Sequence, residues 1–395
     1  MHIAFVIPAF LPARDFGGPL TILIHTAEKL IQLGHKVTVY TSDASSLTKF
    51  NQGLKPVEKI NGITVKRFPI TVSLKGFWIT PAMYSQMMKD DFDVMHSLCL
   101  RCFQSEVAAL VSLRTGKPLF VNPFGSMGSY QSPTTTNIQK FLHYLHNPMD
   151  MIIMKIAKKL IAINKFEREI FKKYKNSDKK IIEIPVGFDP KEFQKNEINV
   201  KEELKIESNE IMLLSVCRFN KIKGIDTLIE AFSILNQKYK IETKVKLVII
   251  GRDDGYANVL RNLIKNNQFN SGIIMLEDKS REFIISSYHA CDFFLIPSYY
   301  ETGPCTILEA FVCKKPVIGS NVGGIPEMIK SGKNGIIVES ANSEKLAEQM
   351  FFLIKNKNIR EKFGDNAYNE IQKYDILKIT QDLLNLYSQN IHKKK

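Results

Sequence analysis

Ile211-Met-Leu-Leu-Ser-Val-Cys-Arg-Phe-Asn-Lys-Ile-Lys-Gly224, running on into Ile225-Asp-Thr-Leu-Ile-Glu-Ala231, decides how this chain is read. Ile211–Val216 is a short apolar run of the kind that forms a buried strand. Cys217–Lys223 is a loop, and Gly224 to Leu235 has helical spacing. Further strands follow at Lys246–Ile250, Ile273–Leu276, Phe293–Ile296 and Pro316–Gly319, with helices between them. Strands alternating with helices predict a parallel sheet covered on both faces.

The same rhythm runs through the first half. A strand over residues 2–8 leads into the loop Pro12–Pro19 with its Gly17-Gly18, then a helix from Leu20 to Leu33 and a strand at Lys36–Tyr40. Gly34 closes that helix as a C-cap would. More strands are expected at Ile63–Val65, Val94–His96 and Leu119–Asn122, and Asn137 to Tyr174 reads as helical. Asp189 to Glu210 is rich in lysine and glutamate and reads as a connection. The expected fold class is therefore α/β, with two doubly wound Rossmann-like domains at 1–188 and 205–375 facing each other across a cleft. The last helix, within 376–395, is free to pack back on the first domain. Ligands of such sheets bind at the carboxyl ends of the strands.

Composition agrees with this class. A chain of 395 residues exceeds one ordinary core, and 44% hydrophobic with 24% charged residues is typical of a globular protein. Neither a signal peptide nor an unbroken apolar run long enough to span a bilayer is seen, so a cytoplasmic protein is expected. The net charge of +14 is concentrated in Lys140 to Lys180 and in the tail His392-Lys-Lys-Lys395. Such charge attracts acidic partners. An anionic membrane surface is the expected one, because no nucleic-acid-binding module accompanies the lysines. Cys99-Leu-Arg-Cys102 has the spacing of half a zinc site. No second Cys/His pair follows it, so no metal is expected there.

Candidate chemistry lies at the strand ends of the second half. Arg218 and Lys223 precede the helix at Gly224, and two fixed cations at a helix start suit a diphosphate. Tyr299-Tyr-Glu-Thr-Gly-Pro-Cys-Thr-Ile-Leu-Glu-Ala310 is a second strand–loop–helix junction, with Glu301 in the loop and Glu309 in the helix. Cations for phosphates beside carboxylates for hydroxyls are the chemistry of a sugar nucleotide.

These stretches carry a resemblance. Leu213–Ala231, Glu301 and Glu309 in an E-x7-E pattern, Asn321-Val-Gly-Gly-Ile-Pro-Glu327 and Gly335-Ile-Ile-Val338 resemble a retaining glycosyltransferase of the GT-B fold, family 4 (glycosyl transferases group 1). Gly17-Gly18, Gly34-His35, Phe92-Asp-Val-Met-His96 and Ile184-Pro-Val-Gly-Phe-Asp189 extend the likeness to the first half. The resemblance implies a nucleoside-diphosphate sugar, a UDP-sugar most often, as donor substrate and a glycan or lipid-linked glycan as acceptor, with no cofactor and no divalent metal. It gives Arg218 and Lys223 the diphosphate, Glu301 a sugar hydroxyl and Glu309 the ribose. Amides around Gly303, Cys305 and Thr306 meet the sugar and distal phosphate, Gly17-Gly18 closes over the phosphates, and His96 is a catalytic candidate.

Departures from the family pattern are equally specific. Leu98 and Phe124 stand where the family often has histidine, Gly303-Pro304 replaces a phenylalanine–glycine pair, and Val186 replaces an asparagine. Two alternatives share the architecture. An epimerase needs more acid–base side chains than this thin histidine supply offers, and the intact Arg218, Lys223, Glu301 and Glu309 set argues against an inactive partner subunit.

Overall fold

The computed structural model describes residues 1–50, 53–74, 77–127, 135–174, 178–194 and 197–391, with backbone alone at 74, 138–143 and 178. The tail His392–Lys395, Lys175 and the side chain of Lys140 fall outside the described residues. The chain divides into two compact units. One is built from residues up to Asp189 and from Tyr374 onward, the other from Pro190–Lys373.

The first unit contains an eight-stranded sheet in the order β10-β9-β8-β7-β1-β2-β4-β3. Its strands are β1 (His2–Val6), β2 (Lys36–Ser42), β3 (Val57–Ile60), β4 (Ile63–Phe68), β7 (Val94–Leu98), β8 (Leu119–Asn122), β9 (Lys159–Ala162) and β10 (Ile181–Glu183). All pairs are parallel except β3 with β4, and β5 (Val72–Leu74) and β6 (Phe77–Ile79) form a separate antiparallel ribbon. The inner strands are buried on both faces, as parallel strands between helical layers must be. One face is covered by α2 (Ala82–Lys89), α3 (Phe103–Thr115), α4 (Asn137–Ile156) and α5 (Lys165–Lys172). The other is covered by α1 (Gly18–Gln32) and by the final helix, whose Ile379, Leu383 and Tyr387 are buried against Phe5 and Phe120.

The second unit has a six-stranded parallel sheet in the order β13-β12-β11-β14-β15-β16. The strands are β11 (Ile211–Val216), β12 (Val245–Gly251), β13 (Ile273–Glu277), β14 (Phe293–Ile296), β15 (Val317–Ser320) and β16 (Gly335–Val338). Its helices are α6 (Val200–Glu203), α7 (Ile225–Lys238), α8 (Ala257–Lys265), α9 (Arg281–Ala290), α10 (Cys305–Val312), α11 (Ile325–Met328), α12 (Ser343–Lys355) and α13 (Lys357–Glu370); α14 (Ile376–Asn390) is the helix returned to the first unit. Strand order reverses between β11 and β14. In a doubly wound sheet the loops leaving two such strands diverge and open a crevice. Arg218 and Lys223 follow β11, and Glu301 follows β14.

Several expectations are corrected. Asn137 to Tyr174 is not helical throughout: α4 ends at Ile156, and Lys159–Ala162 is a strand paired with β8. The reason is alternation: Leu160 and Ala162 pack into the core on one face of the sheet and Ile161 into the core on the other, the period of a strand covered on both sides. Lys180 ends α4 by donating to the carbonyls of Lys155 (2.6 Å) and Ala157 (2.9 Å). Asp189 to Glu210 is no bare connection either. Phe193, Val200 and Ile206 are buried among its charges and tie it down. The strands β3, β5, β6, β10 and β16 went unforeseen.

Candidate functional site

The loops after β11 and β14 are knitted together by their backbones. The amide of Tyr299 donates to the Ile222 carbonyl at 2.8 Å, and Gly224, at φ +64°, passes so close to Pro297 that a Cβ would lie 2.1 Å from its carbonyl oxygen. Only glycine fits there. The Tyr299 hydroxyl also donates to Asp226 Oδ1 (3.0 Å) at the start of α7 and lies 2.8 Å from Thr227 Oγ1. This lattice brings Lys223 and Glu301 into direct contact as an ion pair, each largely buried, with Ser298 Oγ donating to Glu301 Oε1 at 3.3 Å. Behind Glu301 lies the turn of the Asn321–Glu327 motif. Gly324 donates its amide to the Glu301 carbonyl at 3.1 Å, and Gly323 adopts φ +55° with its Cα pressed against the same carbonyl.

Arg218 is half exposed and does not join that pair. Its Nη1 donates to Asp254 Oδ2 at 2.8 Å, and Asn220 Nδ2 donates to the same oxygen at 3.1 Å. Gly303 and Pro304 lead into α10, where Cys305 and Thr306, as the first helical residues, have amides with no carbonyl one turn back to receive them. Burial pushes the Cys305 and Cys217 thiols up to about 12, so both stay protonated and neither is a nucleophile at neutral pH.

Glu309 sits one turn into α10 and is buried. The structure gives it a partner that the sequence did not reveal: Arg281, the first residue of α9, donates from Nη1 to Glu309 Oε1 at 2.9 Å. Arg281 also grips Glu192 with both remaining edges, Nε to Oε1 at 2.9 Å and Nη2 to Oε2 at 3.0 Å, and lies over the Phe193 ring. One guanidinium thus fixes a carboxylate at the site and another in the segment after Asp189. Among the described residues no group of three or more His, Cys, Asp or Glu side chains gathers as metal ligands would.

In the first unit, Gly17 (φ +80°) and Gly18 start α1, and open space surrounds the place where their Cβ atoms would be. His96, inside β7, is buried and accepts or donates through Nδ1 at 2.6 Å from the Tyr387 hydroxyl of α14. Burial lowers its pKa to about 3, so the ring is neutral. Its Nε2 has no hydrogen-bond partner among the described residues, and the ring lines a small cavity with Thr26, Leu98, Asn122 and Phe124. Cys99 and Cys102 are thiols whose pKa values burial raises.

Solved structures share this architecture along nearly the whole chain. Sucrose-phosphate synthase from Thermosynechococcus elongatus superposes with a TM-score of 0.78 at 18% identity, covering 98% of each chain. Anabaena HepE, solved in complex with UDP and glucose, gives 0.77 at 20% identity over 98% of this chain and 100% of its own. The fold is that of the GT-B glycosyltransferases. Residues 196–370 match the model of the glycosyl transferases group 1 and residues 16–192 that of Glycosyltransferase Family 4, and the chain belongs to this group of glycosyltransferases. Among its relatives are the uncharacterized glycosyltransferase MJ1607 of Methanocaldococcus jannaschii, 27% identical over 98% of both chains, and the N,N'-diacetylbacillosaminyl-diphospho-undecaprenol alpha-1,3-N-acetylgalactosaminyltransferase of Campylobacter jejuni, 26% identical over 63% of this chain and 65% of that one.

Proposed function

We propose that this glycosyltransferase moves a sugar, with retention, from a nucleoside-diphosphate sugar, a UDP-sugar foremost, to a glycan or lipid-linked glycan at the cytoplasmic face of a membrane. The observation that carries the reading is the charge arrangement at the β11/β14 switch point. A lysine–glutamate pair lies between a half-exposed arginine and the open amides of α10, with a second, arginine-held carboxylate one helical turn further on. That the related fold of HepE was solved with UDP and glucose, and that the Campylobacter relative is named for a diphospho-undecaprenol acceptor, supports the donor and acceptor classes.

In this reading Arg218 and Lys223 hold the diphosphate and neutralise the charge that grows on it as it leaves. Glu301 accepts a sugar hydroxyl and Glu309 a ribose hydroxyl, while the amides at Gly303, Cys305 and Thr306 meet the sugar and distal phosphate. Gly17 and Gly18 give the phosphates a backbone approach free of side chains. The acceptor hydroxyl attacks on the face the leaving group departs from, and the departing phosphate oxygen takes its proton. The protein contributes position and field more than a base. His96, neutral and pinned by Tyr387, is limited to a hydrogen bond from its ring. The two cations replace a divalent metal, so activity persists in chelator. A panel of nucleoside-diphosphate sugars scored for hydrolysis or transfer, with Lys223→Ala and Glu301→Ala beside the parent, tests the reading. No turnover with any donor, or activity untouched by both changes, rejects it.

A further inference from the structure

The outer surface of α3 and α4 gathers exposed apolar side chains. Leu110 and Leu113 on α3 and Leu145, Met151 and Ile152 on α4 are exposed, Leu113 to 66% and Leu145 to 57%. Exposed large apolar side chains are ordinary when scattered and informative when gathered. Of these, Leu113 and Ile152 line a groove of about 620 Å³ between the C-terminal turns of the two helices, together with Pro118 and Ile156 and the cations Lys117, Lys155 and Lys158.

The charge of this face is one-sided. α4 contains a single carboxylate, Asp150, and it is turned inward: 1% exposed, it accepts from Arg101 Nε at 2.8 Å. The one acid of α3, Glu106, is half-buried. Lys117 is paired with Asp91, but Arg114, Lys155 and Lys158 are exposed and have no carboxylate within ion-pair distance among the described residues. Lysines beside leucines on an exposed helical face, with the one acid of α4 withdrawn and the exposed Asp91 answering Lys117 alone, complement a surface that is negative outside and apolar beneath.

We propose that this α3–α4 face docks on an anionic phospholipid bilayer, with Leu113 and Ile152 entering the headgroup boundary and Arg114, Lys155 and Lys158 resting on lipid phosphates. A second copy of the chain is a poor occupant, because its own cations would meet these. The proposal deepens the reading of a lipid-linked acceptor, on which its purpose rests, but the docking itself is measured without donor or acceptor.

The test is sedimentation of the full chain with phosphatidylcholine vesicles and with mixed phosphatidylcholine–phosphatidylglycerol vesicles. Binding to the anionic vesicles alone is expected, weakening with salt. The triple change Arg114→Glu, Lys155→Glu and Lys158→Glu should reduce it by about 100-fold or more, from about a fivefold factor for each cation lost near the surface. Leu113→Ser with Ile152→Ser should weaken binding at unchanged charge. Melting temperatures confirm that each variant folds, and hydrolysis of a soluble donor should proceed as in the parent. Equal binding to neutral and anionic vesicles, or variants that bind like the parent, overturns the proposal. So does a parent dimer in light scattering that the Leu113→Ser, Ile152→Ser variant dissolves, which would assign the face to self-association. Failure of the transferase reading would show instead as absent donor turnover with vesicle binding intact.

Discussion

Replacing Arg281 by alanine probes the part of the site that motif reading missed. Arg281 gives Glu309 one charge-assisted hydrogen bond at 2.9 Å, and the Glu309 side chain is only 11% exposed, so water cannot freely replace the lost donor. A hydrogen bond to a charged group in such a setting is worth about 1.5–3 kcal/mol. If Glu309 receives a ribose hydroxyl, that loss falls on donor binding and raises donor KM by about 10- to 100-fold, with a smaller change in kcat. The assay is steady-state transfer with a ribonucleotide donor and with its 2′-deoxy and 3′-deoxy counterparts. The parent should favour the ribonucleotide, and Arg281→Ala should discriminate less. Glu192→Gln removes only the outer partner, about a third exposed, and should cost about 1 kcal/mol or less. Adding Glu309→Gln to Arg281→Ala should produce little further loss, because the two act through one contact. Unchanged donor KM in Arg281→Ala, or losses that simply add in the double variant, refutes the assignment.

Three further outcomes are expected. Burial holds Glu167 at about 7, well above its ordinary 4.5, although the amides of Gly125 (2.7 Å) and Ile163 (2.9 Å) donate to it. A raised folded-state pKa stabilises below about 4.5 and loses that contribution as the pH climbs through about 7; Glu167→Gln should therefore flatten melting temperature against pH across this window, and parallel profiles would reject it. Gly323→Ala forces a side chain into the left-handed region and against the Glu301 carbonyl, at about 1–2 kcal/mol for the backbone alone plus the clash; calorimetry should find donor affinity lost, and parental affinity would contradict the packing. Tyr387→Phe leaves His96 with neither ring nitrogen satisfied and should lower stability by about 1–3 kcal/mol in denaturant unfolding, whereas an unchanged midpoint would show that the bond contributes nothing.

What the sequence disclosed follows from how local the signals are. The strand–loop–helix junctions at Ile211–Ala231 and Phe293–Ala310 announce themselves because apolar runs, glycines and charges sit within twenty residues of one another. Lys159–Ala162 stayed hidden because the lysines before it continue the helical spacing of α4 and mask the change of period. Arg281 carried no signal: it reaches Glu309 only because α9 and α10 pack side by side in the folded unit, 28 residues apart. Tyr387 meets His96 across 291 residues, a pairing no window along the chain can contain. Polar partners supplied by sheet order are the class of residue that a linear reading misses.

The contact between Lys223 and Glu301 has a kinetic consequence. On the proposed assignment each charge is the other's stand-in ligand, and a donor must replace both ends of that bond at once, phosphate for carboxylate at the lysine and hydroxyl for ammonium at the glutamate. A free nucleoside diphosphate or a free sugar satisfies one end and strands the other. Once the sugar has been passed on, Glu301 is released to reclaim Lys223 from the spent nucleotide, so the resting pair acts as an internal competitor that hastens product departure.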